Sequence, residues 1–305
     1  MDGGTVQVVT GAFGFTGRAI ARRLLARGER VRTLTGHPGR ADPFGGRVEV
    51  APYNFRDPAA MAESLRGADV LYNTYWVRFP HGEVTFEEAA ANSRALLAAA
   101  AAAGVRRVVH ISITNAAETS HIPYFRWKGE VERAVAESGL SHAILRPALI
   151  FGPGGIIINN IAWLLRRYPV FAVPGRGDYR LQPVFVDDLA ELAVAAADMA
   201  ENQGMDVIGP ETFAFIDLVR LIATTVRSRA RIVHVKPELA LLLSRTVGAL
   251  VNDLLLTRDE LEGLMAGLLV SAAPPAGRTP LSRWLADNAD TVGTVYYSEL
   301  ARHYR

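Results

Sequence analysis

The chain has 305 residues, half of them apolar and 21% charged, enough to bury one large core or a core with a second lobe. Its 33 basic and 31 acidic residues leave a formal charge of +2, and no basic block of the kind that tracks nucleic acid stands out. Cysteine is absent, which excludes disulfides, thiol nucleophiles and cysteine–metal centres, and the seven histidines lack the i, i+4 pairs that would suggest a metal.

In chain order, a strand-like run begins at residue 5, and no secretory signal is expected. "TVQVVT" (5–10), "RVRTLT" (30–35), "RVEVAPY" (47–53), "ADVLYNT" (68–74), "VRRVVHISI" (105–113) and "SHAILRP" (141–147) predict six strands. Between the first two, "TGRAIARRLLARG" (16–28) is an amphipathic helix, with Ile20, Leu24 and Leu25 on one stripe and Gly28 as its stop. Asp57 and Pro58 open a short helix as N-cap and first residue. An alanine-rich helix follows over 84–104 and another over 123–139. The alternation predicts an α/β fold, a doubly wound parallel sheet with helices on both faces.

After Pro147 glycine and proline punctuate the chain, in "RPALIFGPGG" and "VFAVPGRGD". Residues 1–150 are therefore expected to form one domain and 151–305 a smaller substrate lobe, partly interleaved with the sheet. "FVDDLAELAVAAADM" is expected to return to the main body, with Asp187 and Asp188 complementing the dipole of its first turn. The apolar stretch 239–256 is interrupted by Arg245 and Asp253. It predicts a buried or interface helix rather than a membrane span, and 235–270 is a candidate surface for a homo-oligomer. From Leu281 the terminus predicts helix, docked by Trp284 and Leu285. A soluble, cytoplasmic protein is expected.

The segment "VVTGAFGFTGRAIARRLL" carries Gly11, Gly14 and Gly17 between the first strand and the first helix. The first glycine permits a tight turn, the second lets backbone approach a pyrophosphate, and the third lets helix and strand pack closely. The helix that follows aims unpaired amides and a positive end at phosphate. Dinucleotide binding is the expected function of this loop, with Phe13, Phe15, Thr16 and Arg18 completing its contacts. An acid at the end of the second strand would hold an NAD ribose, and a basic residue a 2′-phosphate. This chain has Thr35, Gly36, His37 and Arg40 there, with no acid before Asp42. NADP is favoured, with NAD as the alternative.

Further on, Tyr124 and Lys128 stand four apart, on one face of a helix. A phenol of pKa about 10 is a poor acid at neutral pH, and an adjacent ammonium lowers that value. With the glycine loop, "HISIT", Tyr124-x-x-x-Lys128 and "LRPALIFGPGG", the chain resembles the short-chain dehydrogenase/reductase superfamily in its extended or atypical branch. Within that branch it is similar to the NAD(P)-binding epimerase/dehydratase, NmrA-like and complex I 39 kDa subunit-like group. The resemblance covers roughly residues 5–215 and implies a Rossmann fold.

It implies Tyr124 as the acid/base, Lys128 as ribose binder and activator, and Ser112 as the hydroxyl that orients substrate, with Thr114 and Ser120 as other candidates. It also implies Asn54 at the adenine, Asn73 and Thr74 beside the cofactor, and Pro147, Ile150 and Phe151 along the nicotinamide. Trp76, Arg78, Asn159 and Asn160 are candidate substrate contacts, whereas His81 reads as an exposed loop histidine. Arg126 and Trp127 are expected to face outwards or towards the substrate lobe. The activity implied is hydride transfer between NAD(P) and a small, fairly apolar carbonyl or alcohol. The alternatives are sugar-nucleotide epimerase or dehydratase chemistry, and a non-catalytic redox sensor or assembly protein.

Overall fold

The computed structural model of the chain describes residues 5–303. In order these form β1 (Val6–Thr10), α1 (Phe15–Ala26), β2 (Arg30–Thr35), β3 (Val48–Pro52), α2 (Pro58–Ser64), β4 (Ala68–Asn73), α3 (Phe86–Ala102), β5 (Arg107–Ile111), α4 (Pro123–Glu137) and β6 (Ser141–Pro147). Then come β7 (Ile150–Phe151), α5 (Ile156–Arg167), β8 (Val170–Pro174), β9 (Arg180–Leu181), β10 (Val184–Phe185), α6 (Val186–Ala197), β11 (Gln203–Val207) and β12 (Phe213–Ala214). The chain closes with α7 (Phe215–Thr225), β13 (Arg231–Val235), α8 (Pro237–Val251), α9 (Arg258–Met265), α10 (Leu281–Asp287) and α11 (Glu299–His303).

Two compact units result: one runs to Pro147 and takes back Val186–Asp206, and the other holds Ala148–Phe185 with the rest from Val207. The first unit is built on a seven-stranded sheet in the order β11–β6–β5–β4–β1–β2–β3. Every pairing from β3 across to β6 is parallel. Parallel strands need crossover helices, and these cover both faces. One face packs Val8, Leu71, Val108 and Ile144 against Met61 of α2, Leu96 and Leu97 of α3, and Val131 and Val135 of α4. On α1, Ile20 and Leu24 are buried, as are Leu189, Ala190 and Ala193 on α6, and the two helices pack together.

Local chemistry sets the helix ends, and at α2 it does so where the sequence placed the cap. Asp57 accepts from Ala60 N at 3.0 Å, with Pro58 at the first helical position. Thr85 caps α3 through Glu88 N at 3.0 Å. The return of α6 is held from inside the sheet: the fully buried Arg107 donates to Ala196 O and Glu201 O, each at 2.8 Å, and to Ser141 Oγ. A guanidinium here satisfies carbonyls that a helix C-terminus leaves open and complements its negative end.

The second unit has its own core, around Phe151, Ile158, Leu165, Val173, Leu181, Leu218, Ile222 and Leu285. Trp284 packs against it, with its ring 5.7 Å from Phe151. Of the two readings of the apolar helix α8, burial within the chain is not met: only Ala240 and Gly248 are buried, while Leu239, Leu242, Leu243 and Leu250 are exposed. Nor is the terminus one helix, since α10 stops at Asp287 and α11 starts at Glu299. Gly293 lies between them at φ +74°, and a Cβ there would collide with Ala162 and Trp163, so this close approach requires the break. Residues 304 and 305 fall outside the described part.

Truncating the buried guanidinium would leave Ala196 O of α6 and Glu201 O beyond it without their donor. Arg107→Met is expected to lower stability by about 2–4 kcal/mol, read from the midpoint of urea denaturation at unchanged slope.

Candidate functional site

Strand order in the first unit reverses between β1 and β4, and sheets of this kind bind ligands at the carboxyl ends of the strands beside that reversal. Gly11 leaves β1 at φ +63° and Gly14 N-caps α1 in an extended conformation. A Cβ on Gly17 would collide with the carbonyl oxygens of Gly11 and Thr10, and one on Gly14 would stand 3.1 Å from Gly11 O. Gly11 N donates to Leu34 O and Ala12 N to Thr33 Oγ1, both at 2.9 Å, which ties the loop to β2. The helix then begins with no side-chain cap and no acid in its first turn. Its positive end is left for an anion. Phe13 in the loop packs its ring 6.3 Å from Phe44, while Phe15 and Thr16 open α1.

The gap between β1 and β4 is closed by threonines. Thr74 N donates to Thr10 Oγ1 at 2.7 Å, and Thr74 Oγ1 donates to Thr10 O at 2.6 Å. The Thr74 hydroxyl, expected at the cofactor, is thereby committed to the scaffold. Asn73 beside it is fully buried, with Oδ1 accepting from Tyr75 N at 3.0 Å and Nδ2 unmatched.

Parallel pairing sets Asn73 opposite His110 of β5, so both side chains stand on one face of the sheet. Alternation puts Ser112 on that face too, buried and with its Oγ unmatched. Lys128 of α4 is buried, and its Nζ donates to Ile111 O at 3.0 Å. It also lies 4.8 Å from the Trp76 ring centroid. Burial pushes the Lys128 ammonium down to about 7, against the opposing charge of Glu132. That carboxylate is claimed by Arg146, whose Nε and Nη2 approach it at 2.9 and 2.6 Å. His110 has both ring nitrogens buried and unmatched, and burial, with the Lys128 charge beside it, holds it far below its usual value. It is neutral at physiological pH.

Pro123 occupies the first turn of α4, where its missing N–H costs nothing, and puts Tyr124 on the opening turn. The Tyr124 ring stands edge-on to Trp76 at 6.3 Å and to Phe86 at 5.7 Å. Ser120 is turned to another task, accepting from Ile122 N at 3.2 Å ahead of the helix. Thr114 is fully buried, with its N–H on Pro147 O at 2.9 Å. Trp127, expected to face outwards or towards the substrate lobe, is partly buried against the first unit's core, on the face it shares with Val131. Arg126 lies over its ring at 5.9 Å.

At the end of β2, His37 is exposed while Arg18 and Arg40 are half-buried. Asp42, the first acid, accepts from Phe44 N at 2.7 Å and Gly46 N at 2.5 Å, inside its own loop. Asn54 sits at φ +48° after β3, with its carbonyl accepting from Asp57 N at 2.9 Å. Arg78 lies over Phe79 at 5.7 Å, and His81 is exposed.

Other candidates lie in the second unit. Phe151 is buried in that unit's core, and Ile150 pairs with Val184. Asn159 and Asn160, read as substrate contacts, clamp the terminal segment instead. Asn159 Oδ1 accepts from Gly293 N at 2.9 Å and its Nδ2 donates to Val295 O at 2.8 Å. Asn160 exchanges two bonds with the backbone of Tyr297, at 2.9 and 3.1 Å. Their amides are satisfied without a ligand.

Sequence reasoning missed His110, Phe86 and the Glu132–Arg146 pair. Period-two alternation from Ser112 could have found the first, and the four-residue step from Lys128 to Glu132 part of the last. Phe86 and Arg146 had no local signal. Among the described residues there is no cluster of acids and histidines able to hold a metal, and no helix long and apolar enough to cross a membrane.

The site fits a nicotinamide dinucleotide: a glycine loop in which a Cβ on Gly14 or Gly17 would crowd the Gly11 carbonyl, an open helix N-terminus, and buried polar atoms of Asn73, His110 and Ser112 without partners. A family model described as NAD(P)H-binding matches residues 11–154. A Streptomyces griseus protein, (4-alkanoyl-5-oxo-2,5-dihydrofuran-3-yl)methyl phosphate reductase, is 32% identical over 208 residues, 67% of this chain and 68% of that one. The chain belongs to the NAD(P)H-binding Rossmann family.

It is also similar to a mitochondrial subunit of Arabidopsis thaliana, NADH dehydrogenase (ubiquinone) 1 alpha subcomplex subunit 9, at 26% identity over 88% of this chain and 71% of that protein. The Escherichia coli NADPH-dependent quinone oxidoreductase, solved with NADPH, shares the fold with a TM-score of 0.74 at 19% identity, over 93% of this chain and 98% of that one.

The buried lysine gives a pH signature of known sign. Its folded value lies below its unfolded one, so between about 7 and 10.5 the unfolded chain holds the extra proton and stability rises with pH. Lys128→Met is expected to be more stable than the parent near pH ~6, with the gain fading towards pH ~10, in parallel urea titrations.

Proposed function

We propose that the chain is an NADP-preferring oxidoreductase that interconverts a small, apolar carbonyl compound and its alcohol. The observation that carries this reading is the buried Lys128. It sits at the carboxyl end of β5, one helical turn from Tyr124 and bonded to the carbonyl that precedes Ser112, whose hydroxyl is unmatched, in the unit that holds the glycine loop. The nicotinamide supplies a hydride when bound. In the reducing direction, Ser112 Oγ donates to the substrate oxygen and orients it. Tyr124 Oη gives that oxygen its proton as the carbon receives the hydride, so the alcohol forms with charge balanced. Lys128 stabilises the phenolate left behind and holds the ribose. Trp76, Phe86 and the Tyr124 ring make an aromatic wall, which supports an apolar substrate.

The absence of an acid at the end of β2, with Arg18 and Arg40 at hand, supports NADP over NAD. NADPH is expected to bind at least about tenfold more tightly than NADH in fluorescence titrations, and Arg40→Ala to erase most of the difference. Tyr124→Phe is expected to keep NADPH affinity within about twofold while cutting hydride exchange into a carbonyl panel by about 10²–10⁴. Likeness to a respiratory-complex subunit over 88% of the chain favours one rival, cofactor binding without turnover. Tight NADPH binding with no exchange into any carbonyl, in parent or variant, would decide for that rival.

The reading also takes the exposed Leu242 and Leu250 of α8 as a surface where two copies of the chain meet. A dimeric mass by light scattering, reduced to a monomer in Leu242→Glu/Leu250→Glu, is the expected result; a monomeric parent refutes it.

A further inference from the structure

Lysine is nearly absent from this chain. Among 33 basic residues only Lys128 and Lys236 are lysines, and Lys128 is the buried one. A buried ammonium ordinarily has a carboxylate to itself. Lys128 does not. Of the titratable groups around it, His110 on β5 is neutral, and Tyr124 on its own helix is a phenol. Glu132, one turn further on, acts on it through its charge but is held in a fork by Arg146 of β6. What the ammonium does touch is Ile111 O at 3.0 Å and the indole face of Trp76 at 4.8 Å.

That indole is well fixed. Its plane lies within 4° of Phe86 at a centroid distance of 6.0 Å, Tyr124 stands edge-on to it at 6.3 Å, and it packs against the core of the first unit. Trp76 follows β4 and Lys128 lies on α4, so the contact joins two crossovers of the sheet.

We propose that Trp76 is a positioning residue: its π face is the counter-group that holds the Lys128 ammonium in the site in place of a carboxylate. This rests on the reading above that Lys128 serves the nicotinamide ribose and Tyr124. A carboxylate would neutralise the charge it held. An aromatic face attracts a cation through its quadrupole and leaves the charge whole, free to act on a phenolate or a ribose oxygen. Such contacts are strongest in a desolvated site, where they act directly against the cost of burying an ammonium.

The scarcity of lysine makes the test direct. With Lys236→Arg as background, protein labelled with [ε-13C]lysine has one side-chain signal, and its titration reports the protonation of Lys128. Trp76→Leu, which keeps the site dry but removes the π face, is expected to lower the midpoint by about one pH unit, a tenfold loss of proton affinity. Trp76→Phe should lower it less, and Trp127→Phe, which removes a ring not in contact with Nζ, should leave it unmoved. Should Trp76→Leu fail to fold, biosynthetic replacement of tryptophan by mono-, di- and tetrafluorotryptophan keeps the shape while weakening the quadrupole. The midpoint should then fall stepwise with fluorine number. A midpoint unmoved or raised in the folded leucine variant or in the fluorinated series overturns the proposal. NADPH titration of the parent separates the two failures. A chain that binds no NADPH loses the nicotinamide reading while the lysine titration still judges Trp76, and one that binds NADPH with an unmoved midpoint loses only the role of Trp76.

Discussion

The first unit depends on how closely α1 can approach β1, and that distance is set by a missing side chain. At Gly17 a single added carbon would drive into the carbonyls of Thr10 and Gly11. With the carbon absent, the helix starts directly over the strand end, and its open amides face the point where strand order reverses. The threonine stitch between Thr10 and Thr74 then closes β1 onto β4 beneath that point.

Beside it the protein does something costly. It buries an ammonium, an imidazole, an amide and a hydroxyl within the ends of β4, β5 and α4, and leaves several of their atoms unmatched. Unmatched buried polar groups are rare in a structure selected for stability alone. They are expected where a ligand completes the hydrogen bonding, and the lysine shows the same trade: depressed by burial, it subtracts from stability at neutral pH. The second unit contrasts with this. There the buried asparagines 159 and 160 are fully matched by the terminal segment. A buried polar side chain is thus a site signal only when its partners are missing.

How much was legible from the chain follows from the range of each signal. The strands, α1 to α4, the cap at Asp57 and the face shared by Tyr124 and Lys128 rest on periods of two and 3.6 and on single turn residues. All of these lie within a few positions of one another. The fate of α8 was not legible, because an apolar stripe says that a face wants cover and not whether this chain supplies it. The break between α10 and α11 was not legible either. It is forced by α5, where Gly293 passes against Ala162 more than a hundred positions earlier in the sequence.

By itself, then, the sequence determined the order of elements as far as β6, the parallel doubly wound class and the glycine loop after β1, since each is written in local stereochemistry. Only the tertiary structure decided which groups meet: Asn73 opposite His110 through strand register, Arg107 under the end of α6, and Trp76 over Lys128. Those contacts join residues from 37 to 89 positions apart in the chain. No residue's own neighbours specify them, because register and crossover packing are properties of the assembled sheet.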